Sequence, residues 1–135
     1  MSIEETVKVD SKGRITIPST IRELFDIREG MYMLMIADKS SKEIKLVVLP
    51  IAAQLLKLRL LVEDRMGVLA EITRFLAGHS IDIVSTKCIV LKREELGECE
   101  MIIDISRGTI VEIKDIEDKL RTLEPVKLVE VSKMM

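Results

Sequence analysis

The stretch Val7-Lys-Val-Asp-Ser-Lys-Gly-Arg-Ile-Thr-Ile-Pro-Ser-Thr-Ile-Arg22 changes rhythm once, and that change sets the fold of the first half of the chain. Val7 and Val9 alternate with Lys8 and Asp10, residues 11–14 make a polar turn, and Ile15 and Ile17 alternate around Thr16. This period of two on either side of a short turn is a β-hairpin pattern. Gly13 supplies the positive φ that such a turn needs. The period then lengthens. Pro18 suits the first position of a helix, and Ile17, Ile21, Leu24 and Phe25 recur at helical spacing, which predicts about two helical turns over 18–25 with one apolar side.

Reading outward, residues 31–37 (Met-Tyr-Met-Leu-Met-Ile-Ala) form an almost wholly apolar strand, and a polar turn at 38–43 leads into a second strand at 44–49. Two hairpins separated by a short helix bury too little apolar area to be stable alone. A second copy is therefore expected, with the two chains interleaving their hairpins into one shared β-barrel. Pro50 closes this domain, 1–49, and residues 50–56 are the expected connector, too apolar for a free flexible linker.

Residues 57–135 have another rhythm. A strand at 57–63 and a loop at 64–67 lead into a helix traced by Val68, Leu69, Ile72, Phe75 and Leu76 and ending near Gly78. Two longer strands, 81–92 and 98–106, flank the polar loop 93–97, with Val84, Cys88 and Val90 expected on one face of the first and Cys99, Met101, Ile103 and Ile105 on one face of the second. A second amphipathic helix over 110–123 and a last strand after Pro125 complete a ferredoxin-like βαββαβ domain. The fold class is α+β, a swapped-hairpin barrel formed by a dimer followed by this unit. Both cysteines are expected as buried thiols, because two are too few for a disulfide scaffold and lack metal-ligand spacing.

Composition narrows the functions available. The chain is 47% hydrophobic and 33% charged, and its apolar runs are too short and too interrupted to span a bilayer, so a membrane role is excluded. Met1-Ser2-Ile3-Glu4-Glu5 has acids where a signal peptide would carry bases, which predicts a cytoplasmic protein. Absence of Asn and Trp with a single Gln, Gln54, fits the amide-poor usage of thermophiles. The net charge of −2 excludes a broadly basic nucleic-acid coat. Residues 1–50 carry eight bases and eight acids, so any DNA contact has to be local.

Through residues 7–22, and especially the run Gly-Arg-Ile-Thr-Ile-Pro, the chain resembles the AbrB/SpoVT swapped-hairpin family, with similarity over about residues 3–49. That resemblance implies an intertwined homodimer that binds double-stranded DNA, in most members as a transcription factor and in some as an antitoxin. The family's basic positions on the hairpin and short helix correspond to Lys8, Lys12, Arg14 and Arg22. A two-fold dimer would gather two copies of these bases on one face of a neutral domain. Arg14 is the best candidate for a base or phosphate contact, since its guanidinium can fork onto guanine or phosphate oxygens. Val7 and Glu23 stand where some relatives carry further arginines, and Asp26 replaces a glycine often found at the helix end.

From Leu61-Val-Glu-Asp-Arg-Met-Gly-Val-Leu-Ala-Glu-Ile72 and the segment from Gly78 to Ile83, residues 57–133 resemble the ACT family of amino-acid-sensing domains. The resemblance implies an effector near Gly67, held between two such units, and tetramers assembled through them. Helix-start amides near Gly67 can hold a carboxylate, while Asp64 and Asp82 could hold an ammonium group. Asp64, Met66, Gly67, Val68 and Asp82 are thus the candidate ligand residues, with an amino acid or related metabolite as effector and no other cofactor. Met66 stands where many relatives have proline.

No catalytic triad or metal cluster can be assembled, and the single His79 lies just past a helix end, so neither an enzyme nor a metal site is expected. The two resemblances together imply a DNA-binding transcriptional regulator tuned by a metabolite. Its alternatives are an antitoxin or other protein-interaction module, and a metabolite-sensing regulatory subunit that does not touch DNA.

Overall fold

A computed structural model describes all 135 residues, and the chain divides into two compact units, Met1–Ile51 and Ala52–Met135. The first contains α1 (Ser19–Phe25), β1 (Met33–Asp38) and β2 (Glu43–Val48), the last two paired antiparallel from Met33 opposite Val48 to Asp38 opposite Glu43. The helix begins one residue later than expected, because Pro18 sits outside it with φ −55° and ψ 146°. It ends at Asp26, which takes the left-handed conformation (φ 53°, ψ 43°) that glycine adopts most easily. Amides of Asp26 and Ile27 there close back onto the carbonyls of Glu23 and Arg22.

The first expected hairpin forms only at its turn. The Asp10 amide donates to the Arg14 carbonyl at 2.9 Å and the Gly13 amide to that of Asp10 at 3.0 Å, with Gly13 at φ 76°. Residues 7–10 and 14–17 carry no strand ladder. Two arms of four residues bury too little surface to hold a ladder by themselves. Burial in this unit is correspondingly thin: only Leu34 and Leu49 are buried, whereas Val9, Phe25, Tyr32, Met35 and Ile44 stand more than half exposed. Ile17, Ile21, Phe25, Met33, Leu46 and Val48 line an open apolar groove of about 450 Å³.

The second unit is β3 (Leu55–Val62), α2 (Val68–Gly78), β4 (Asp82–Lys92), β5 (Leu96–Asp104), α3 (Ile113–Arg121) and β6 (Val126–Lys133), the expected βαββαβ order. Its four strands are antiparallel in the order β4-β5-β3-β6. The strand over Leu55–Val62 takes in Leu55 and Leu56, so the connector expected over 50–56 is shorter than its sequence suggested. Both side chains are buried in the core, and that burial extends the strand. Leu56, Leu58, Leu60 and Val62 from β3 alternate inward and meet Ile72 and Leu76 of α2, Ile116 and Leu120 of α3, and Met101 and Ile103 of β5. On the opposite face Arg59 bridges the strands, its Nε donating to Glu98 at 2.9 Å and its Nη1 to Glu130 at 3.3 Å.

Two expectations for β4 need correction. Register shifts between Ile83 and Ser85, so Ile83, Thr86, Cys88 and Val90 stand opposite Ile103, Met101, Cys99 and Gly97, and Val84 drops out of the inward set. A bulge of this kind changes the face of every later residue. The cysteines are not two buried thiols. Cys88 and Cys99 are directly opposite, with Cα atoms 4.1 Å apart, and form a disulfide in which Cys99 is buried and Cys88 exposed.

Candidate nucleic-acid interface

The turn at residues 10–14 is organised by a side chain that sequence reasoning passed over. Asp10 Oδ1 accepts the amides of Lys12 (2.8 Å) and Arg14 (2.9 Å), and its Oδ2 accepts Arg14 Nε at 2.8 Å. An aspartate accepting amides two and four residues ahead is a familiar turn-forming arrangement, and the Val-Asp-Ser-Lys-Gly pattern contained the signal. The Arg14 amide, then its guanidinium, hold the Asp10 carboxyl below its ordinary value of 3.8. The bonds to the ionised carboxylate are therefore kept through neutral pH and lost as pH falls through that lowered value.

Lys12 and Arg14 are thus presented together at the tip of an ordered turn. Arg14 spends one donor, Nε, on Asp10, so both terminal Nη groups are without a hydrogen-bond partner, and its side chain is 68% exposed. Lys8 lies on the preceding arm and Arg22 on α1; both are exposed and form no ion pair. Thr20 Oγ1 donates to Glu5 Oε1 at 2.7 Å, tying the start of α1 to the N-terminal arm. The pairing with Asp10 offsets part of the positive charge that a simple count of bases assigns to this tip. In exchange it orients the guanidinium.

Residues 6–51 match the family model described as antidote-toxin recognition MazE, bacterial antitoxin. Two repressor-like proteins of Saccharolobus solfataricus, SSo7c3 and SSo7c4, are 35% and 37% identical over 49 residues, which is 36% of this chain and 94% and 88% of theirs. Through this segment the chain belongs to the MazE/AbrB-like family. The turn at 10–14 and α1 both fall inside the matched MazE/AbrB-like segment. Elsewhere, the ACT domain from the GTP pyrophosphokinase of Chlorobium tepidum is similar at 21% identity and a TM-score of 0.47, covering 59% of this chain and 99% of that one.

The candidate ligand residues of the ferredoxin-like unit do not converge within one chain. Val62 and Val90 both stand opposite Gly97, whereas Leu55 and Asp82 both stand opposite Asp104, at the other end of the sheet. Over an eight-residue strand that separation is roughly 23 Å. Asp82 is thereby removed from the loop that carries Gly67. Asp64 is also committed, since its Oδ2 accepts the Glu94 amide at 2.7 Å. Val68 is buried in the core and Met66 is almost fully exposed. Gly67 starts α2 at φ 87° with open space where a Cβ would project, so backbone conformation rather than close approach calls for glycine there.

Sequence reasoning missed Asp104, a buried carboxylate whose Oδ1 accepts the amides of Gln54 and Ser106, each at 3.0 Å. Burial pushes its pKa upward, but the bonds from Gln54 and Ser106 and the charge of Arg107 outweigh that and hold it below 3.8. The Asp104-Ile-Ser106 spacing carries the local half of this arrangement, but Gln54 lies 50 positions away and no local pattern signals that bond.

Proposed function

We propose that this chain is a homodimeric DNA-binding transcriptional regulator whose contacts come from Lys8, Lys12, Arg14 and Arg22. The observation that carries the reading is the Asp10-organised turn, which presents Lys12 and the unpartnered Nη groups of Arg14 at an exposed tip. Geometry of this kind suits a fork onto guanine or phosphate oxygens. The homodimer is supported by the apolar groove beside α1 and by the exposed Val7, Val9 and Ile15 on the two arms, which are the right chemistry to fill it from a second copy. The repressor-like relatives support the regulatory role.

For the second unit we propose regulation by a metabolite with a carboxylate, of the amino-acid class, at the loop of residues 64–68 where α2 begins. Since Asp64 is engaged and Asp82 distant within one chain, such a ligand would be completed by another copy of the unit. A second reading, toxin binding, is favoured by the description of the matching family model.

Selection of genomic DNA fragments by the purified protein at two salt concentrations, repeated with Arg14→Ala, tests the first reading. Wild type is expected to enrich a defined sequence, and the variant to bind it about 10-fold to 100-fold more weakly. Equal, weak and unselective binding by both would sink the DNA reading and leave toxin binding. A thermal-shift screen of amino acids tests the effector, with stabilisation by one of them expected and abolished in Gly67→Val.

A further inference from the structure

We propose that the Cys88–Cys99 disulfide is a thiol-exchange site, reacting with a low-molecular-weight thiol of the glutathione class, and that it controls the coupling of the β4–β5 hairpin tip to the loop of residues 63–67. The exchange itself requires neither DNA nor an effector, although residues 64–67 belong to the loop at which we propose that a metabolite binds. Four observations converge on it. These are the only cysteines in the chain, and the register places them opposite one another. They are unequal: Cys88 lies on the exposed outer half of the edge strand β4, whereas Cys99 is 4% exposed and belongs to the core. Both line a surface cavity of about 150 Å³ together with Glu63, Asp64, Arg65 and Leu69. Exposed disulfides are the ones that exchange readily with thiol pools.

Asymmetry sets the direction of the chemistry. An external thiolate attacks Cys88 Sγ, the sulfur–sulfur bond breaks, and its electron pair leaves on Cys99 Sγ, which takes a proton from water. Cys88 then carries a mixed disulfide. A second thiolate attacks the external sulfur of that mixed disulfide, releasing the oxidised external disulfide and a Cys88 thiolate. Two thiols have then lost two electrons, and the protein disulfide has gained them. In reverse, the Cys99 thiolate attacks the Cys88 mixed disulfide and expels the thiol.

Breaking the bond has a defined mechanical consequence. Beyond it the hairpin keeps only the pairs Ile89 with Glu98, Val90 with Gly97 and Lys92 with Leu96, with a register shift among them. Its tip is closed by the Glu95 amide on the Lys92 carbonyl (3.0 Å) and docked on the loop by the Glu94 amide on Asp64 Oδ2 (2.7 Å) and the Asp64 amide on the Glu95 carbonyl (3.4 Å). The disulfide and Asp64 are thus two successive links between the core of the sheet and the start of α2.

Equilibrating the full chain in a series of reduced and oxidised glutathione mixtures, trapping thiols with a maleimide and reading masses tests the exchange. The expected result is a reversible change from disulfide to dithiol across the series, with a glutathione adduct found on Cys88 in Cys99→Ala. Amide hydrogen exchange of the two end states is expected to show roughly tenfold faster exchange at 89–96 and at 64–67 after reduction, with the buried amides of β3 unchanged. In Asp64→Ala the hairpin is still expected to respond and the loop not to. A bond that yields to glutathione only after urea unfolding, or one that never forms in oxidised glutathione, overturns the proposal. So does identical exchange in the two states of wild type.

Discussion

The two units of this chain differ in where their apolar side chains find cover. In Ala52–Met135, sixteen buried residues form one cluster, and Leu58, Leu60, Ile72, Leu76, Met101, Ile103, Ile116 and Leu120 are wholly removed from solvent. In Met1–Ile51 only Leu34 and Leu49 are buried, and Phe25, Tyr32 and Met35 stand more than half exposed. Apolar content does not explain the contrast, since 31–37 is among the most apolar runs in the chain. A four-stranded sheet with two helices on one face closes a core within one chain, whereas a lone hairpin and a seven-residue helix do not. The lesson is that the same apolar alternation specifies a finished core in one unit and an unfilled surface in the other.

Leu58→Ala attacks the finished core and should cost about 4 kcal/mol, read as a lower urea midpoint that does not depend on protein concentration. Phe25→Ala discriminates most sharply. If the groove of the first unit stays open to water the change is near neutral, but if a second copy covers it the loss is about 3 kcal/mol and varies with protein concentration. Asp104→Ala leaves the Gln54 and Ser106 amides unpaired and should destabilise the second unit by about 2 kcal/mol. Because the folded pKa of Asp104 lies below 3.8, wild type keeps this contribution above that value and loses it as pH falls through the lowered one. Acid titration of the variant should therefore be flatter in that window. The smallest effect is expected from Asp26→Gly. Relief of the left-handed conformation, less the exposed ion pair of Asp26 with Arg28, should stabilise the first unit by about 0.5 kcal/mol in thermal unfolding.

Some features were legible in local pattern because a local force decides them. Helix α2 follows from the spacing of Val68, Ile72, Phe75 and Leu76, and the turn at 10–14 from Gly13. The Gly-Arg-Ile-Thr-Ile-Pro run led to the family that the comparisons support. Other features were not legible. The expectation that Asp64 and Asp82 share a ligand with Gly67 rested on their closeness to helix α2 in sequence. An eleven-residue helix between them carries the chain to the opposite end of the sheet. The Asp10 turn is local, since its amide partners lie two and four residues ahead, and a count of charges does not register it.

The sequence by itself determined the βαββαβ order of the second unit, the place of α1 and the position of the basic turn, since periodicity, glycine and proline act over a few residues. Tertiary structure alone decided the pairing register of β4 with β5. That register places Cys88 against Cys99 and removes Val84 from the inward face. Register is a long-range quantity, and a bulge inserting one residue reverses every side chain beyond it, so no local pattern could have supplied it. The same holds for the bond between Asp104 and the Gln54 amide, which lie 50 positions apart and meet only when β3 and β5 have paired.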